Sequence, residues 1–280
     1  MEWNWKASES LKPRERSKLR IYFGVKYYRL KRMIEWYTDN KKYACTKENT
    51  MYPYPLKKHE TLLRRQLKDV EMWYQENKIV NLEIALKKLN GIIIRPGETF
   101  SYWRLIGKPT KRKGYVKGMV LHYGTFKPGT GGGLCQLSNL IYWITLHTPL
   151  TVTERHRHSF DVFPDSRRTQ PFGSGATCVY NYLDLQITNT TSNTFQLSLN
   201  LTPTHLEGEW RALQPVTMSY EVYEKEHLIT REHWGYHVRH NLIHRKVFNG
   251  QYQCIDDEYV TENHALMMYN PLLEYQENAN

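Results

Sequence analysis

The chain has 280 residues and a net charge of +11, from 39 Lys and Arg against 28 Asp and Glu, enough for one large domain or two modest ones. Its 40% hydrophobic and 24% charged residues exclude a disordered or collagen-like chain. No run approaches the roughly 18 apolar residues of a membrane-spanning helix.

The charge is uneven. Residues 1–150 hold 29 Lys and Arg against 12 Asp and Glu, whereas residues 151–280 hold 10 against 16. A basic half suits an anionic partner such as a lipid surface or an anionic small substrate. No zinc finger, RNP-type aromatic signature or helix-turn-helix is visible, so nucleic acid is not expected. The opening MEWNWKASESLKPRERSKLR has no apolar leader core. The expectation is therefore a cytoplasmic chain, with peripheral attachment to the inner membrane face as its variant. Cys45, Cys135, Cys178 and Cys254 form no CxxC and are expected to be reduced.

Residues 11–38 read as a helix, with Leu19, Tyr22, Phe23, Tyr27, Leu30, Met33, Ile34 and Tyr37 recurring near a 3.6 period among interleaved Lys and Arg. Such a helix fits an anionic membrane surface. Packing of its stripe on the rest of the domain, with the basic side chains snorkelling, is the favoured reading. Residues 44–58 carry two prolines and read as a loop, and residues 59–90 as a helical region broken near Glu76–Lys78 and ended by Gly91. Ile92–Ile94 reads as a strand and Pro96-Gly97 as a turn.

A glycine-rich approach, residues 124–134, leads into a helix marked by Leu137, Leu140, Ile141 and Ile144 and stopped by Pro149. From Leu150 to Phe163 the alternation predicts a strand with His156 and His158 on its apolar face. Residues 176–189 suggest a strand or hairpin, 195–201 a half-buried strand, and Asn249-Gly250 a hairpin turn. The fold class is α+β: a helical N-terminal region, a Gly-rich loop and helix packed on a mainly antiparallel sheet, and a β-rich C-terminus. The divisions are a basic helical region, 1–74, a core, 75–203, and a β-rich extension, 204–280.

Cys135 falls in the first turn of a helix, after Gly131, Gly132 and Gly133. The positive helix end favours thiolate, and its N–H groups suit a developing oxyanion or a bound anion. Cys135 is thus a candidate nucleophile, with the amides of Cys135 and Gln136 as the oxyanion site and the glycines giving a substrate close access. His158, or His156, would supply the base, and Asp184 or Asp161 would orient it. The alternatives are a structural Cys135 and structural or metal-ligating histidines. His233, His237, His240 and His244 share a face only in a helix, and Gly235 with the nearby hairpin argues against zinc there. No metal or cofactor is expected.

Residues 96–107 (PGETFSYWRLIG), 131–138 (GGGLCQLS), 154–159 (ERHRHS) and 184–189 (DLQITN) stand in an order and spacing that resembles the VanW family over about residues 75–200. The basic N-terminal region is similar to that of its short, stand-alone members. The resemblance implies an association with glycopeptide resistance or the cell envelope. It puts Cys135, Gln136 and Ser138 in the GGGxCQxS pattern and His158 in the family's histidine position. Where many members have Asp-Ala-Thr, this chain has Gly175-Ala176-Thr177. Two functions follow as expectations: thiol-dependent acyl transfer or amide hydrolysis on a peptide or peptidoglycan precursor, or binding without catalysis of an anionic envelope precursor, at Gly131–Gly133, Gln136, Ser138 and His156. A peripheral membrane adaptor is the third.

Overall fold

A computed structural model describes residues 16–64, 71–122, 124–162 and 170–270. Residues 11–15 of the first expected helix and Phe163 of the expected strand lie outside them. Helix α1 (Lys18–Thr38) starts where the Ser17 hydroxyl accepts from the Arg20 amide at 3.3 Å. Helix α2 (Trp73–Leu89) buries Leu82, Ala85, Leu86 and Leu89 in the core. Helix α3 (Tyr102–Ile106) is a single turn, and α4 (Cys135–Thr145) buries the predicted face, with Leu137, Leu140, Ile141 and Ile144 no more than 1% exposed.

Two four-stranded sheets carry the core. One orders β1 (Lys42–Tyr43), β4 (Glu98–Ser101), β9 (Gln186–Thr188) and β7 (Thr151–Glu154). The other orders β2 (Tyr54–Leu62), β11 (His205–Ala212), β10 (Phe195–Leu201) and β3 (Ile93–Ile94), and α4 packs on its β11 and β2. There the Trp210 indole donates to Thr145 Oγ1 at 2.9 Å, a buried bond that fixes α4 on the sheet. A third sheet orders β12 (Ser219–Arg231), β13 (His237–Phe248), β14 (Cys254–Met267) and β8 (Phe160–Asp161), while β5 (Lys117–His122) and β6 (Thr125–Thr130) form a separate hairpin. The mixed α+β class is as expected. By sequence β1, β2 and β11 lie outside residues 75–203, yet each is a strand of a core sheet.

Several expectations give way to the sheets. Residues 54–62 are a strand, neither loop nor helix, because β11 supplies antiparallel partners from Tyr54↔Ala212 to Leu62↔His205. β2 is an edge strand, and Pro55 sits next to its register shift, where a missing N–H costs least. The expected strand 150–163 divides into β7 and β8, which join different sheets. Residues 155–159 between them are irregular, so His156 and His158 share no pleated face. Within 176–189 there are one bridge, Val179↔Leu183, and β9. The hairpin at Asn249 forms, but with a longer loop. Asn249 Oδ1 accepts from the amides of Gln251 and Gln253, and the positive φ of 58° falls on Tyr252 rather than Gly250. His233 stands in the β12–β13 loop and the other three histidines lie on β13, so no helical face gathers them.

The favoured reading of α1 also fails. Only Trp36 of this helix is buried, and Leu19, Phe23, Tyr27, Leu30, Ile34 and Tyr37 are all exposed. Arg29, Arg32 and Trp36 face the domain instead: Arg29 Nε donates to the Tyr180 carbonyl at 2.8 Å, and the Trp36 carbonyl accepts from Arg104.

Candidate functional site

Cys135 opens α4 and keeps part of its surface exposed. Its sulfur donates to the Cys178 carbonyl in a long contact of 3.8 Å. Burial raises the thiol's pKa, and backbone groups of Cys178 and of Cys135 itself only partly oppose this. The helix end does not prevail, so the resting group is a neutral thiol. The Gln136 amide donates to the Gly133 carbonyl at 3.1 Å, whereas among the described residues the Cys135 amide meets no carbonyl and is bonded only by its own sulfur. Of the two amides expected to hold an oxyanion, that of Cys135 is the one bonded to no oxygen.

The glycines are explained by the chain itself. A Cβ on Gly132 would stand 2.1 Å from the Gly118 carbonyl carbon, one on Gly131 2.6 Å from Pro109, and one on Gly133 2.3 Å from Lys78. Their missing side chains therefore admit β5, a proline and a lysine stem. Asn81 seals the crossing: its side-chain amide donates to the Gly132 carbonyl at 2.8 Å, and its oxygen accepts from the Val116 amide. Gln136 ties α4 to β2 through Thr61 Oγ1 and the Leu62 carbonyl.

Residues 175–178 run between α4 and residues 155–158. On the α4 side, Ser138 Oγ donates to the Ala176 carbonyl at 2.8 Å, Asn139 Oδ1 accepts from the Ala176 amide at 2.8 Å, and Cys135 meets Cys178. On the other side the His156 carbonyl accepts from the Thr177 amide, and His158 Nδ1 bonds Thr177 Oγ1 at 2.8 Å. Arg155 Nε reaches the Gly175 carbonyl at 2.9 Å. Cys135 and His158 thus flank one short segment and share no hydrogen bond. Burial, then the charge of Arg155, lowers the His158 pKa to about 4, so its ring is neutral at pH 7. A Cβ on Gly175 would lie 2.7 Å from Asn139 Oδ1, so Asn139 takes the space that a side chain at position 175 would need.

Asp184 is fully buried and does not orient a histidine here. Oδ2 accepts from Ser101 Oγ at 2.5 Å, and Oδ1 accepts from the amides of Trp103 and Leu185. Burial outweighs these bonds and lifts its pKa to about 6. Asp161 accepts from the Tyr269 hydroxyl and is paired with Arg239.

Beside Asp184 stands a cluster that no spacing in the sequence announces. A register shift in β7 between Val152 and Glu154 accompanies the turn of Glu154 toward α1, where both its oxygens accept from Arg32. Glu154 also meets His156 Nε2 at 3.0 Å and the Asp184 amide at 3.1 Å. Burial alone would raise its pKa, but His156 and Arg32 together hold the carboxyl below its usual range. Among the described residues no group of three or more His, Cys, Asp and Glu side chains is placed to hold a metal.

Comparison with known proteins adds a family. A profile described as VanW like protein matches residues 77–211. Vancomycin B-type resistance protein VanW of Enterococcus faecalis is 34% identical over 232 residues, 83% of this chain and 84% of that protein. The uncharacterized protein YoaR of Bacillus subtilis is 29% identical over 82 residues, 29% of this chain and 27% of its own. No solved structure matches.

Proposed function

Because the chain belongs to the VanW family, we propose that it is an accessory of vancomycin-type resistance in the cell envelope, acting through Cys135 by thiol-dependent acyl transfer or amide hydrolysis on a peptidoglycan-type peptide. One observation carries the chemistry: a partly exposed cysteine in the first turn of a buried helix, its sulfur in a long contact with the Cys178 carbonyl and its own amide bonded to no carbonyl. The resistance role rests on the printed name of the Enterococcus relative. Attachment at the inner membrane face is part of the same reading.

In this reaction Cys135 Sγ attacks the peptide carbonyl carbon, and the Cys135 N–H receives the developing oxyanion. The C–N bond then breaks, the thiol proton leaves with the departing amine, and a thioester remains. Water or a second amine attacks that thioester, giving hydrolysis or acyl transfer and restoring the thiol. His158 carries the proton. Its ring is neutral and bonded to Thr177 in the resting state, so this step requires a shift of residues 176–178 or of the imidazole that brings it to the sulfur. Asp184 acts in this scheme as the fixed anchor of α3 and β9.

A second reading has its own observation. The raised thiol pKa and the separation of Cys135 from His158 favour a module that binds an envelope precursor without reacting. A synthetic peptidoglycan stem peptide separates the two, with binding followed by calorimetry and conversion by chromatography. The catalytic reading expects wild type to convert it and Cys135→Ser to bind without conversion. Equal binding by both proteins with conversion by neither would leave the binding module in its place.

A further inference from the structure

We infer that the outward face of α1 is a docking surface for an anionic lipid bilayer, and that α1 couples this surface to the Cys135 region through its opposite face. This rests on the membrane attachment included in the proposed function and names the surface responsible, while its test does not depend on the Cys135 chemistry. At 100° per residue, Leu19, Phe23, Tyr27, Leu30, Ile34 and Tyr37 fall within one sector of about 80°, directed away from the domain except at its end, where the Tyr37 ring meets the Arg104 guanidinium. Each is at least 53% exposed and Tyr37 reaches 80%. Six such side chains on one helix form a contiguous stripe, unlike apolar residues scattered singly over a surface.

Charge selects the occupant. Lys18, Arg20, Lys26, Arg29, Lys31 and Arg32 stand in α1 against one acid, Glu35. Arg29 and Arg32 are turned to the protein by Tyr180, Glu154 and Tyr182. Arg20 and Lys31 line one margin of the stripe, and Lys26 stands at the other. Lys31 has only an exposed 3.9 Å contact with Glu35. Two copies of this helix meeting through the stripe would bring like charges together. Anionic headgroups would meet these three cations, while the aliphatic and Phe side chains enter the headgroup boundary and the Tyr rings lie at its level. No described helix is long and apolar enough to cross a membrane, and the stripe requires only a helix lying on the surface.

The two faces of α1 have separate duties. The inner face holds residues 180–184 through Arg29 and Arg32, and this segment leads directly from Cys178, whose carbonyl meets Cys135. Docking would therefore hold the Cys135 region close to the bilayer, the position needed for a substrate anchored in lipid.

The test is sedimentation of the full chain with vesicles of phosphatidylcholine alone and of phosphatidylcholine mixed with phosphatidylglycerol. The expected result is binding to the anionic vesicles only, weakened by salt. Neutralising Arg20, Lys26 and Lys31 to Gln should weaken that binding on the order of a hundredfold. The triple change Phe23→Ser, Leu30→Ser and Ile34→Ser should abolish it with the melting temperature unchanged, because none of these side chains is buried. Failure of wild type to bind anionic vesicles, or undiminished binding by the Ser variant, would overturn the inference. So would a dimer in solution that the Ser variant dissociates.

Discussion

Arg32 on α1 donates to both carboxylate oxygens of Glu154 at the end of β7, at 2.7 and 2.6 Å, across 122 residues of sequence. The side chains are only 12% and 19% exposed, so the pair is poorly screened and each charge depends on the other. Glu154→Gln would leave the Arg32 guanidinium with only its longer 3.6 Å contact to the half-exposed Glu35 and should cost about 3 kcal/mol of stability. Urea denaturation measures that loss. Replacing both residues, Arg32→Met with Glu154→Gln, should restore part of it. A double variant as unstable as the sum of the singles would show that the pair is not coupled.

Asp184 gives a pH dependence of defined sign. Its folded pKa of about 6 lies above the ordinary 3.8, so the folded state holds the proton more tightly than the unfolded chain. Its contribution is fully present below about pH 4, is lost as pH rises through about 6, and amounts to about 3 kcal/mol. Asp184→Asn should remove this fall. Between about pH 4 and 6 the stability of wild type should therefore fall relative to that of Asp184→Asn, by about 3 kcal/mol in all, and a constant difference would contradict the assignment.

The glycines of the 131–133 loop should tolerate change according to what lies against them. Gly132→Ala places a Cβ inside the Gly118 backbone, which cannot withdraw as a side chain would. The expected cost is about 3 kcal/mol or loss of folding. Gly250→Ala meets nothing closer than 3.7 Å, at a residue without positive φ. It should stay within about 0.5 kcal/mol of wild type. Thermal melting of both variants checks the contrast, and equal melting temperatures would refute it.

Resting Cys135 should behave as a protected thiol. Burial raises its pKa, so its alkylation rate should rise only at a pH above the ordinary ~8.5 of a cysteine. The exposed Cys45 and Cys254 provide internal references in the same peptide digest. Since no hydrogen bond links the two residues, His158→Ala should leave the resting profile unchanged. A midpoint well below ~8.5 that moves upward in His158→Ala would instead reveal a preformed Cys–His ion pair.

The parts of the fold legible in the sequence are those with a local period. The apolar face of α4 and the alternation of β10 each follow from their own residues, and both are as expected. Strand β2 was not legible, because YPLKKHETL has no strong pattern until β11 offers it a ladder. Nor was the break at residues 155–159, where Arg155 turns to Gly175 and Asn263. α1 misled for a related reason: a 3.6 period shows that one face is apolar but not which side it meets. At the candidate site, GGGLCQLS marked Cys135. It could not show that the glycines admit β5, nor that Arg32 lies 122 residues away against Glu154. The leading Glu of ERHRHS was visible as a residue, but its role depends on the β7 register shift.

The measurement that bears most directly on the central claim is covalent trapping at Cys135. Full-length protein is mixed with the stem peptide, quenched in acid and digested, and the peptide carrying Cys135 is weighed. The account predicts an acyl mass on that peptide in wild type, none in Cys135→Ser, and formation slowed about 10²- to 10⁴-fold in His158→Ala. Conversion of the stem peptide that continues undiminished in Cys135→Ser, with no acyl mass in wild type, would contradict it.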